Sequence, residues 1–141
     1  MSRAVITANE INELFDQYAA ALEKNDAKAM AMLYALPCTF LSNDGSSVYS
    51  DLAPLEGAIS QGRRFYKKYG IVAAAPDVRN KYSITDKIVR VKVNWRYLDK
   101  DHRDVYNCDY EYIVKQQIDG EWKIEMAISI NEKEQLEQLQ K

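Results

Sequence analysis

The apolar positions of this chain follow one period in its first half and another in its second. Over residues 7–24 they recur at helical spacing, with Ile11, Leu14, Phe15, Tyr18, Ala19 and Leu22 on one face. Thr7-Ala-Asn-Glu10 has the form of a capping box, which predicts the helix start. Asn25 suits a left-handed helix end, and Asp26 suits the cap of a second, short helix over about 27–34 that carries Met30, Leu33 and Tyr34. Pro37 is expected to stop that helix. Cys38–Ser42 reads as a short strand, Asn43–Ser46 as a turn, and Val48 and Tyr49 as a brief paired strand. A third helix is predicted over about 52–69, capped by Ser50 or Asp51. Pro54 falls in its first turn, Leu55, Ile59 and Tyr69 lie among its inward residues, and Gly70 ends it.

From there the period is two. Residues 71–75 and 78–84 read as shorter strands flanking Pro76, and 87–98, 104–117 and 121–130 as long ones. Asp99–His102 joins the first long pair, and Asp119-Gly120 joins the second as a hairpin. Residues 131–141 read as a polar helix or tail with Leu136 and Leu139 on one side. Helices followed by antiparallel strands predict a single α+β domain over 1–141, its helices covering one face of the sheet.

Alternation splits each long strand into two faces. Val89, Val91, Val93, Trp95 and Tyr97 share one face, as do Tyr106, Cys108, Tyr110, Tyr112 and Val114, and as do Trp122, Ile124, Met126, Ile128 and Ile130. The other face carries Arg90, Lys92 and Arg96 beside Asp109 and Glu111, which are expected to pair across strands. The apolar face is aromatic. With 10 tyrosines in the chain, several hydroxyls must enter or border the interior, where each needs a partner. That face is either plain core or the lining of a small-molecule pocket. Its candidate ligand-binding residues are Tyr18, Tyr34, Trp95, Cys108, Tyr110, Tyr112 and Met126.

Composition narrows the classes. The chain has 141 residues, 47% hydrophobic and 28% charged, which is enough to bury a core. A net charge of -2 and no basic stripe argue against nucleic acid as a partner. No apolar run approaches the roughly 18 residues of a membrane span, and the first ten residues lack the apolar stretch of a signal peptide, so a cytoplasmic protein is expected. Cys38 and Cys108 form no C-x-x-C pair and have no neighbouring histidine, so no metal site is expected. They read as small buried hydrophobes, with a disulfide or a reactive thiol as the alternative. His102, the single histidine, lies in a charged turn. No phosphate loop or nucleophile–base pattern is present, and no cofactor is implied.

Two stretches carry a family resemblance. Gln17-Tyr-Ala-Ala-Ala-Leu-Glu-Lys-Asn-Asp26, followed by Met32-Leu-Tyr34, resembles the opening of nuclear transport factor 2-like proteins. The strand from Glu111 into Asp119-Gly-Glu-Trp-Lys-Ile124 resembles their closing hairpin. The resemblance implies a cone: a curved sheet around helices, with a pocket at the open end and often a homodimer through the outer sheet face. The superfamily includes ketosteroid isomerase, SnoaL-type cyclases, dehydratases and an epoxide hydrolase, as well as non-catalytic binding and assembly domains, so fold alone selects no activity. By likeness to the isomerase, Tyr18 takes the place of its oxyanion-donating tyrosine. The base position falls on Ser42, with Asp44 two residues on as a substitute, and Asp109 could match the second aspartate. Tyr18, Asp44 and Asp109 are therefore the candidate catalytic residues. Three functions remain open: a pocket for a small, mostly apolar molecule; an isomerase-, cyclase- or dehydratase-type enzyme; or a homodimeric assembly domain.

Overall fold

A computed structural model describes residues 3–140. Among the described residues four helices and six strands follow in the order α1 (Arg3–Glu23), α2 (Ala27–Ala31), β1 (Tyr34–Ser42), β2 (Gly45–Tyr49), α3 (Leu52–Lys68), β3 (Ala73–Thr85), β4 (Ile88–Leu98), β5 (Asp104–Gln116), β6 (Trp122–Ser129) and α4 (Glu132–Leu139). The strands form one sheet in the order β2-β1-β6-β5-β4-β3, antiparallel except for the β1–β6 pair. The helices pack on one face of it, as the helix-then-strand order predicts.

Several local expectations need correction. Helix α1 starts at Arg3, so Thr7 lies inside it and the Thr7–Glu10 pattern caps nothing. A hydroxyl can cap only where its backbone leaves the helix. Helix α2 ends at Ala31, and Pro37 lies within β1 instead of terminating a helix. The two short strands expected around Pro76 are one strand, β3. It is an edge strand, the place in a sheet where proline is tolerated.

The α1–α2 corner forms as its residues require. Asn25 adopts φ 61°, Asp26 N–H donates to Ala21 O at 2.9 Å, and Asn25 N–H donates to Leu22 O at 3.0 Å. This is a Schellman closure, which satisfies carbonyls at the helix end. Asp26 then caps α2, its Oδ1 accepting from Ala29 N–H at 3.0 Å.

Across β4 and β5 the alternation holds. Val89, Val91, Val93, Trp95 and Tyr97 are buried, as are Tyr106, Cys108, Tyr112 and Val114. Ile11, Leu14, Phe15 and Leu22 of α1 close over them. In β6 it fails. The register passes from Val114↔Ile124 to Ile113↔Met126, so Glu125 is an extra residue, a β-bulge. Beyond it the parity reverses: Ala127 and Ser129 pair with the inward Tyr112 and Tyr110, while Met126 and Ile128 pair with the outward Ile113 and Glu111. Ala127 is 2% exposed, whereas Met126 is only partly buried. The placement of Met126 and Ile128 on the aromatic face is thereby corrected.

On the outer face Lys92 and Glu111 stand opposite each other. Arg96, however, pairs with Asp104 at 2.8 Å, neither Asp109 nor Glu111 being its partner.

Candidate functional site

The inner face is a continuous aromatic array. Phe15 of α1 meets Tyr112 at a ring-centre distance of 4.8 Å and Trp95 at 6.3 Å. Tyr18 meets Trp95 at 5.3 Å and Tyr34 at 6.2 Å. The polar tips are paired within the array. Trp95 Nε1–H donates to the Tyr112 hydroxyl at 2.7 Å, and the Tyr34 hydroxyl donates to that of Tyr18 at 3.2 Å. Among the described residues no buried side-chain nitrogen or oxygen lacks a partner. Tyr34, Trp95, Cys108 and Tyr112 are each no more than 4% exposed, so these four candidate ligand residues form closed core. Cys38 and Cys108 are both free and buried.

Tyr110 differs. It is partly exposed and lines a cleft of about 550 Å³ at the β1–β2 end of the sheet, with Ser42, Asp44, Ser129, Glu132 and Leu136. An adjoining hollow of about 380 Å³ adds Phe40 and Ala127. Helix α4 forms one wall of the cleft.

The group that brings chemistry to this cleft is Glu132, in the first turn of α4, which sequence reasoning missed. Its Oε1 accepts from the Tyr110 hydroxyl at 2.7 Å. Its Oε2 accepts from the Tyr106 hydroxyl at 3.0 Å and from the Cys108 thiol at 3.7 Å. Burial, with the Glu132 charge second, pushes the Tyr106 and Tyr110 hydroxyls and the Cys108 thiol well above their ordinary pKa, so all three remain protonated donors. Positions 106, 108 and 110 are evident in the sequence as one face of a strand. Glu132 carries no such signal, because its segment is polar throughout.

The candidate catalytic residues do not converge. Tyr18 lies on the inner face, its pKa raised by burial. Asp44 sits in the β1–β2 turn at the cleft rim, paired with Lys133 at 3.2 Å, both side chains 63% exposed. Asp109 faces the opposite side of the sheet. Its Oδ1 accepts from Asn94 Nδ2 at 3.0 Å and its Oδ2 from Asn131 Nδ2 at 3.2 Å, while its backbone N–H donates to Asn131 Oδ1 at 2.7 Å. Asp109 thus ties β5 to the start of α4. His102 is exposed in its turn at φ 61°. Among the described residues no three His, Cys, Asp or Glu side chains cluster as metal ligands, and no helix is long and apolar enough to cross a membrane.

A curved open sheet wrapped on helices, with an aromatic inner face and a cleft at one end, is the cystatin-like cone architecture. The sequence signature described as NTF2-like protein (DUF6841) matches residues 9–132, and the chain belongs to that family. Solved structures agree on the fold. A domain of unknown function with a cystatin-like fold from Nostoc punctiforme superposes with a TM-score of 0.71 at 15% identity, covering 92% of this chain and 78% of that one. An NTF2-like protein from Novosphingobium aromaticivorans gives 0.68 at 14%, covering 91% and 83%. A ketosteroid isomerase-like protein from Erwinia carotovora gives 0.61 at 10%, covering 85% and 92%. No curated protein matches the chain.

Proposed function

We propose that this NTF2-like domain binds a small, mostly apolar molecule in the cleft between the β1–β2 hairpin and α4. The observation that carries the reading is the meeting of open volume, an apolar patch and a convergent polar group at one place: about 550 Å³ in which Tyr110 and Leu136 lie beside Glu132, with polar and charged residues such as Asp44, Lys133 and Glu137 around them. Pockets for small ligands combine apolar walls with a few placed polar groups. The closed aromatic array meets the cleft through Tyr110, whose ring stacks on Tyr112 at a centre distance of 5.6 Å. The test is two-dimensional NMR of the labelled protein titrated with a panel of apolar fragments. Shifts should gather on Tyr110, Ser129 and residues 132–137. Shifts gathering instead on the separate cleft lined by Arg63, Arg64 and Lys67 would overturn the assignment.

An enzyme built on Tyr18 with Asp44 or Asp109 finds no support in this geometry, because one carboxylate is solvated and the other faces away.

A second reading rests on the outer sheet face. Val48, Thr39, Met126 and Ile113 lie in one cross-strand row, and the next row holds Leu41 and Ile128. Val48 is 64% and Leu41 39% exposed. Apolar side chains gathered on one sheet face, interrupted in the first row by Thr39, favour a homodimer through that face. Sedimentation at micromolar concentration is expected to show a dimer, and Val48→Glu to dissociate it. A wild-type monomer would sink this reading.

A further inference from the structure

The contacts of Glu132 say more than that a cleft exists. Three donors from alternate positions of β5, Tyr106, Cys108 and Tyr110, point at one carboxylate, and among the described residues no cation is a hydrogen-bond partner of it. Two phenols and a thiol around an anionic acceptor make charge-assisted hydrogen bonds, the strong class. The row therefore has the right chemistry to hold a carboxylate. The carboxylate it holds belongs to α4, a helix with no buried residue of its own.

Helix α4 has eight residues, too few to be helical in water without docking. None of its residues is fully buried. Its anchors are Leu136 and Leu139, both partly buried, the Asn131–Asp109 strap, and the exposed Lys133–Asp44 pair, a kind that contributes little. It follows β6, the last strand, so it can lift without breaking any strand pairing. Elements with few buried contacts open at low free-energy cost. A ligand carboxylate reaching the row through the adjoining cleft would replace that of Glu132 with no net loss of hydrogen bonds.

We propose that the Tyr106–Cys108–Tyr110 row is a carboxylate-binding seat that the chain's own Glu132 fills, and that the ligand of the cleft is a small apolar carboxylate whose binding displaces the Glu132 side chain and loosens the first turn of α4 while Leu136 still walls the cleft. This rests on the reading of the cleft as a ligand site. It goes further by naming the head group and the intramolecular competitor.

The probes are 2-naphthoate and 2-naphthalenemethanol, which share a ring system and differ in the carboxylate. Each is titrated calorimetrically into the full-length protein and into its Glu132→Ala, Glu132→Gln and Glu132→Ala/Tyr110→Phe variants. Removing the competitor should tighten 2-naphthoate binding at least tenfold in Glu132→Ala and less in Glu132→Gln, with little change for the alcohol. The added Tyr110→Phe substitution should abolish most of that gain. In the wild type, saturating 2-naphthoate should speed amide exchange across the first turn of α4. Equal gains for the two probes would overturn the carboxylate seat and leave the cleft standing. Failure of both probes to bind any variant would overturn the cleft as well. Glu132→Gln preserves the side-chain shape, so the comparison survives if Glu132→Ala does not fold.

Discussion

The bulge at Glu125 decides which residues of β6 face the core, and a pair of lysine substitutions tests it. Strict alternation from Trp122 would bury Met126 and expose Ala127. The observed register does the reverse, with Ala127 opposite Tyr112 and Phe40 at 2% exposure. Lysine at 127 would drive a long side chain between Tyr112 and Phe40, at about 1–3 kcal/mol for overpacking. Its ammonium reaches water only through the hollow that Ala127 borders, and partial burial of the charge adds to that cost. Against a domain stability of about 5–15 kcal/mol, Ala127→Lys should be strongly destabilised. Met126→Lys should cost about 1 kcal/mol or less, because the side chain is only partly buried and a lysine stem keeps apolar contact while its head reaches water. Urea unfolding at a dilution where both variants are monomeric measures the difference. With a slope of about 1–3 kcal/mol per molar for small proteins, a gap of about 3 kcal/mol separates the midpoints by roughly 1–3 M. If Met126→Lys is the more damaging of the two, the alternation is unbroken and the bulge is wrong.

Three further outcomes follow from the core and its caps. Tyr112→Phe orphans the buried indole N–H of Trp95 and should cost about 1–3 kcal/mol by chemical denaturation; a change under about 0.5 kcal/mol would mean the bond at 2.7 Å contributes nothing. Burial raises the pKa of Tyr18, Tyr34, Tyr66, Tyr97, Tyr106, Tyr110 and Tyr112, so the folded state holds protons that the unfolded chain releases above about pH 10. That contribution to stability is therefore complete below about pH 10 and is lost as pH rises, and in an ultraviolet titration these seven should ionise only together with unfolding, where gradual ionisation of the folded protein would contradict their burial. Asp26→Ala removes the cap on Ala29 N–H and should cost about 1 kcal/mol, read as a lower melting temperature, with Asp26→Asn close to wild type.

Much of the fold was legible because it depends on local rules. Asn25-Asp26 closes one helix and opens the next through its own side chains and its tolerance of positive φ, so the corner is written into two adjacent residues. The two faces of β4 and β5 follow from the period of two, which any paired strand imposes. The misreadings came where a neighbour decides. Thr7 caps nothing because the preceding turn also turned helical, which its own side chain cannot prevent. Tyr18 lies on its apolar stripe as the helical period predicts, but its pairing with Tyr34 depends on how α1 crosses the sheet.

What the sequence determined by itself is the α+β order, the aromatic face and most of its members, because hydrophobic period and turn chemistry act over a few residues. The reversal of Met126 and Ala127, the closure of most of the aromatic face, and the arrival of Glu132 at Tyr106, Cys108 and Tyr110 emerge from packing between elements. A bulge is one residue of register between two strands, invisible in either strand alone. A carboxylate on a polar terminal helix has no apolar period to show where it lands. Both depend on contacts between segments distant in the chain, and local side-chain preference has no hold on those.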